Sequence, residues 1–380
     1  MTRGFFLKFN YSGYSFTTIT SCTKTFTLAA VLVSSILPSH TQAQESSFVV
    51  KRLGLPEGIE FMSPIAMSKR GEVLASSEET DDAFLYRSGK GTGWTKITPP
   101  QGFSTVYAVG MSANGAILAA LQSVTAVNNS FMVMRKKKTK IYQLDPAFPQ
   151  SFVTSINRRE EVLSSGLDTC QVYKKGKLTA TIKPPNLNES LHCYFITDNS
   201  LVIGQIYSTA PGQFNNRPFL FDLKKKTYLS IPDEIVPLIY GFYTGNKNGK
   251  FIADIRGPDD SAHQFYNQIY DHKSQKLISY DVPAGFETGE LNGISDKGIA
   301  VGQLYDASFF ASAAIHYPGK PTQLLRDLIE PGSALDDYEE SVAFTINDKN
   351  TQILLIAGNG GYTSGSGFSA SDIFIVSKKK

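Results

Sequence analysis

The chain has 380 residues and is close to charge balance, with 37 Lys and Arg against 34 Asp and Glu. Its whole basic excess lies in residues 1–43, where Arg3, Lys8 and Lys24 face no acidic residue, so the remainder carries 34 of each sign. That balance excludes a polyanion-binding surface built on net charge, and with it an indicated nucleic-acid partner, while the length allows a sizeable core.

Residues 1–43 end with the apolar run FTLAAVLVSSIL from Phe26 to Leu37, followed by Thr41 and Ala43 ahead of Gln44. Small residues at those two positions predict a cleaved export signal over 1–43, and therefore a periplasmic or extracellular protein. An uncleaved tether is the alternative. The run is too short to span a bilayer comfortably, so no transmembrane span is expected. Cys22 precedes the apolar run instead of following it, which argues against lipid attachment there.

From Gln44 onward one pattern recurs, clearest as GISDKGIAVG over Gly293–Gly302. An apolar residue, a Ser, Thr or Asn, two polar residues, a turn residue and an alternating apolar run predict a tight hairpin. Copies begin at Met67, Met111, Ile156, Ile196, Thr244, Ile294 and Ile346. Gly71, Gly115, Gly249 and Gly298 hold the turn position, and Glu160, Ser200 and Asn350 replace glycine in the other three. A spacing of roughly 40 to 50 residues marks a radial array of sheets.

Each unit continues with an aromatic-rich third strand, such as DAFLYR from Asp82 or RPFLFD from Arg217, and then a lysine-bearing turn. A fourth strand follows that ends near a proline, as a sheet edge permits. The seventh unit stops after its third strand, whereas Phe48–Pro56 has the character of a fourth strand without a unit of its own. The reading is an all-β, seven-bladed β-propeller with four-stranded blades, a single domain over 44–380, in which residues 48–56 close the last blade beside Phe374.

The repeat resembles that of the HAF-repeat family of probable extracellular repeat proteins. Asp82-Ala83-Phe84 is the nearest match to the tripeptide, Asn129-Ser130-Phe131 and Arg217-Pro218-Phe219 are looser ones, and the likeness covers about residues 60–377. The resemblance implies an exported propeller and no particular activity.

Long connections between second and third strands in units four to seven place many aromatic and polar groups on one face. Tyr207, Phe214, Asn215, Asn216, Asp259, His263, Tyr266, Tyr305, Phe309, Phe310, Tyr362 and Phe368 are the candidate ligand residues. They suit a glycan or an extended peptide, and the first functional reading is a monomeric binding module that holds one there. A second is a propeller hydrolase or lyase using Asp259, Asp260 and His263 as an acid/base set. A third is a structural protein of an envelope assembly.

No metal-ligand spacing, nucleophile elbow or phosphate loop is present, so no cofactor is expected; calcium at Asp259 and Asp260 is the alternative. Ser88–Trp94 resembles the Asp-box of sialidases but carries Lys90 at the aspartate position. Lysines in the third-to-fourth turns give the opposite face a basic ring, with anionic lipid or cell-wall polymer as its conceivable partner and solvated hairpin tips as the alternative. Cys170 and Cys193 fall on the third strand of one unit and the first strand of the next. These are not sheet neighbours, so a disulfide and two buried thiols both stay open.

Overall fold

A computed structural model of the chain describes residues 47–379 except 78, 89–91, 124–129, 136–137, 149, 167, 209–215, 256–266 and 360–369. These residues form seven four-stranded antiparallel sheets, six of them in simple sequence order. The seventh is ordered with Phe48–Arg52 outermost, beside Ala370–Lys378. Apart from two single-turn 3-10 helices, Val236–Leu238 and Arg326–Leu328, the regular structure is all strand. Each of the seven gaps between neighbouring blades holds its own cluster of buried apolar side chains, so the core is a ring of equivalent interfaces.

The repeated hairpin joins the first and second strands of every blade. Its leading residue is Ser68, Ser112, Asn157, Thr197, Asn246, Ser295 or Asn347, and all seven are buried. In each, the side-chain oxygen accepts the backbone N–H four residues on, from Ser68 Oγ and Glu72 N at 3.2 Å to Asn347 Oδ1 and Thr351 N at 3.0 Å. Three residues after the leader the chain takes a positive φ, whether the residue is Gly298 (80°) or Glu160 (58°), Ser200 (67°) and Asn350 (58°). The capped turn therefore imposes the left-handed conformation even where no glycine eases it.

A second recurrence was hidden from the sequence. In all seven blades the pairing of first and second strands slips by one residue, with Ile65, Val109, Thr154, Tyr194, Tyr243, Asn292 and Phe344 as the extra residue that the register skips. Such bulges bend a strand and re-aim a side chain. Each lies four residues before the second position of its turn, so the bulges form one tier of the channel wall. All seven side chains are partly exposed.

The ring closes as expected, with a shift in register. Val49 lies opposite Ser377, and it is Arg52 that faces Phe374. Phe48, 2% exposed, is buried in the core between blades six and seven, and Ser47 N donates to Leu328 O at 3.0 Å. Arg52 Nη2 bonds Asp372 Oδ2 at 2.5 Å, and this partner holds the guanidinium firmly charged.

Cys170 and Cys193 are joined, with a Cα separation of 6.2 Å. They do occupy the third strand of blade three and the first strand of blade four. Strands that are not sheet neighbours still meet face to face where two blades stack, and both cysteines are fully buried there.

Candidate functional site

The bulge tier is chemically lopsided. In blades seven, one and two it carries Phe344, Ile65 and Val109, whereas in blades four, five and six it carries Tyr194, Tyr243 and Asn292. Each of these last three hydrogen-bonds the same position of its second strand. Tyr194 OH donates to Gln205 Oε1 at 2.9 Å, Tyr243 OH to Asp254 Oδ2 at 3.1 Å, and Asn292 Nδ2 to Gln303 Oε1 at 2.6 Å. One side of the channel thus offers repeated hydroxyl, amide and carboxyl groups and the other offers apolar contact.

Aromatic rings continue the polar side toward the long-loop end. The rings of Tyr194 and Tyr243 lie 5.5 Å apart across two blades, His192 lies 4.6 Å from Tyr194, and Phe152 of blade three meets His192 edge-on at 5.8 Å. Tyr207 OH is 3.1 Å from Tyr194 OH and also bonds Gln205. Burial pushes the His192 imidazole below its usual pKa, which favours the neutral ring.

Glu290, two residues before the blade-six bulge, has the most perturbed carboxyl of this region. Its Oε2 accepts Gln303 Nε2 at 2.6 Å and Tyr305 OH at 3.3 Å. Burial is the main cause that lifts its pKa to about 7, and the charge of nearby Asp254 adds to it, against the two hydrogen bonds. The neutral carboxyl therefore belongs to the native state, and the sign of the pH dependence follows. Its stabilising contribution is complete below the ordinary carboxyl range near 4.5 and is lost as pH rises through about 7. Glu290→Gln is expected to remove that slope. In thermal or urea unfolding the variant should exceed the wild type at pH 8 by about 2 kcal/mol, allowing for screening by channel solvent. At pH 4 the two should converge; parallel pH profiles would rule the assignment out.

Among the expected ligand residues, Tyr207 and Tyr305 belong to this site through their second strands, although Tyr305 is buried at 5% exposure instead of presented to solvent. Phe309 and Phe310, 56% and 40% exposed, stand on the blade-six loop. Asp306 Oδ1 accepts Ser308 N at 2.8 Å and Phe310 N at 3.0 Å there, and Phe309 is held at φ 63°. Asn216 immediately precedes the strand Arg217–Asp222. Phe214, Asn215, Asp259, Asp260, His263, Tyr266, Tyr362 and Phe368 lie outside the described residues.

His192, Tyr194, Tyr243, Glu290 and Asn292 were not anticipated. A count of three back from the leading residue of each turn lands on the bulge and reaches Tyr194, Tyr243 and Asn292, while His192 and Glu290 lie two residues earlier on the same strands. Among the described residues no three His, Cys, Asp or Glu side chains converge as metal ligands, and no helix is long and apolar enough to cross a membrane.

No family description and no curated protein sequence matches the chain. Solved structures do. Selenomethionine-substituted virginiamycin B lyase from Staphylococcus aureus aligns at 12% identity over 87% of this chain and 100% of that one, with a TM-score of 0.51. A streptogramin B lyase gives 12% identity, coverage of 88% and 98%, and a TM-score of 0.51. A catalytically inactive histidine-to-alanine variant of the Staphylococcus aureus lyase with quinupristin gives 11% identity, coverage of 87% and 100%, and a TM-score of 0.50. At these identities the likeness is one of fold: the chain is a seven-bladed β-propeller.

Proposed function

We propose that this chain is an exported binding module that holds a glycan at the long-loop end of its central channel. The observation that carries the reading is the threefold repetition of one hydrogen-bonded pair, Tyr194–Gln205, Tyr243–Asp254 and Asn292–Gln303, on adjacent blades opposite Phe344, Ile65 and Val109. A pyranose has hydroxyl edges and apolar C–H faces, and such a two-sided wall matches both. An extended peptide would instead seek a sheet edge to pair with. Export is supported by the leader and by the buried inter-blade disulfide, a bond that persists in oxidising compartments. In a titration of the folded protein against the best glycan from an array, the Tyr194→Ala, Tyr243→Ala double variant should lose about tenfold or more in affinity, with little change in melting temperature. Unchanged affinity would defeat the reading.

Glu290 favours a second reading, in which the same site performs acid/base chemistry as a hydrolase or lyase. A carboxyl poised near neutrality can give or take a proton at working pH, and the three structures reported above are all named as lyases. It requires turnover on a polysaccharide or ester panel, with a pH-rate limb near 7 that vanishes in Glu290→Gln. A wild-type protein that transforms nothing on such a panel ends that reading.

A further inference from the structure

The tier at the other end of the channel has a different character. Four residues beyond each bulge, the second position of each turn carries Lys69, Ala113, Arg158, Asp198, Lys247, Asp296 or Asp348. Three cations and three anions therefore meet around the axis. Arg158 N donates to Asp198 Oδ1 at 2.7 Å, and Arg158 Nη2 lies 3.0 Å from Asp198 Oδ2. The same nitrogen donates to Asp348 Oδ2 at 2.6 Å. Lys247 pairs with Asp296, and Asn248 Nδ2 donates to Asp296 O at 2.5 Å.

The Arg158–Asp348 bond is the informative one. These residues belong to blades three and seven, which stand roughly 150° apart in a ring of seven. A line between them passes close to the axis, so the guanidinium sits in the channel and not on its wall. Burial raises the pKa of Asp348, the neighbouring charge of Asp296 raises it further, and Arg158 opposes both. The bridge ties the chain across its diameter at the turn end, just beyond the two strand residues that follow the bulges at Thr154 and Phe344.

We infer that the channel is a blind well, floored by Arg158 with Asp198 and Asp348, and that it takes the free end of a glycan instead of a continuous or cyclic chain. The inference rests on the glycan reading above and narrows it. A ligand that enters past Tyr194, Tyr243 and Asn292 cannot leave through the turn face, so only a terminus with a few following units can be seated. Longer chains add no contact inside the well.

The test is titration calorimetry on the folded chain with a ladder of linear malto-, cello- and chito-oligosaccharides, set against cyclic glucans of matched unit number. The expected result is affinity that rises over the first few units and then levels off, with the cyclic counterparts bound about tenfold or more weaker than the linear ones. Equal affinity for linear and cyclic forms overturns the well and leaves the glycan reading standing. If no sugar binds while linear peptides do, the glycan reading falls and the same comparison applies. Loss of binding on peptide cyclisation then supports the well, and equal binding overturns it.

Discussion

Deleting Phe48–Arg52 is expected to abolish the closed ring. The five residues form the entire outer strand of blade seven, and every one of them has a partner on Ala370–Lys378. Burying Phe48 alone is worth about 2 to 3 kcal/mol, and Arg52 satisfies Asp372, which Tyr338 also bonds. Without the strand, Asp372 loses its cation and the edge carrying Phe374 and Val376 is left open. Such an edge is a template for pairing between chains. Size-exclusion chromatography should find aggregate, and near-ultraviolet circular dichroism should find lost tertiary signal. A peptide spanning residues 47–56, supplied during refolding, is expected to restore both by adding the missing strand in trans. A shortened chain that remained monomeric with a native melting temperature would contradict this account of closure.

The second large effect concerns Cys170 and Cys193, which close a loop of 23 residues between blades three and four. In the chain-entropy description such a crosslink contributes about 3 kcal/mol by restricting the unfolded chain. Replacing both cysteines by serine adds the cost of placing two hydroxyls among Leu163, Val172, Leu191 and Val202. Cys170→Ala with Cys193→Ala avoids that second cost and isolates the crosslink. Unfolding free energies from denaturant titration should fall in both, by about 3 kcal/mol in the alanine pair and further in the serine pair. A change in unfolding free energy below about 0.5 kcal/mol in the alanine pair would show that the bond adds little beyond packing.

Most of the architecture was legible because the turn is a local device. A buried Ser, Thr or Asn that caps its own backbone, followed at the third residue by positive φ, is written within five residues, and its seven copies count the blades. The closing strand was legible for the opposite reason, as a fourth strand at one end and a missing one at the other. Its register was not, because it depends on Phe48 reaching the core between blades six and seven. The bulges have no chemistry in common, as Ile65, Thr154 and Asn292 show, and only cross-strand pairing reveals that the position three before each leading residue is where the register slips.

The site was partly visible for a related reason. Tyr207 and Tyr305 flank long loops and read in sequence as loop aromatics, yet they act from the ends of strands, bonding Tyr194 and Glu290 on the inner strand beside them. Glu290 itself sits between Gly289 and Leu291 like any polar residue of an alternating strand. Its raised pKa comes from burial and from Asp254 on another blade, neither of which a single strand discloses. The cross-channel bond of Arg158 to Asp348 joins positions far apart in the chain, and only the ring brings them together.

The claim that ligand is held in the channel, beneath the long loops, is tested most directly by hydrogen–deuterium exchange on the chain with and without its best-binding glycan. The account predicts new protection on the inner strands of blades four to six, Glu189–Ile196, Ile239–Gly245 and Thr288–Ile294. Protection confined to the blade-six loop around Phe309, or to the lysine-bearing turns on the other face, would place the ligand elsewhere and contradict it.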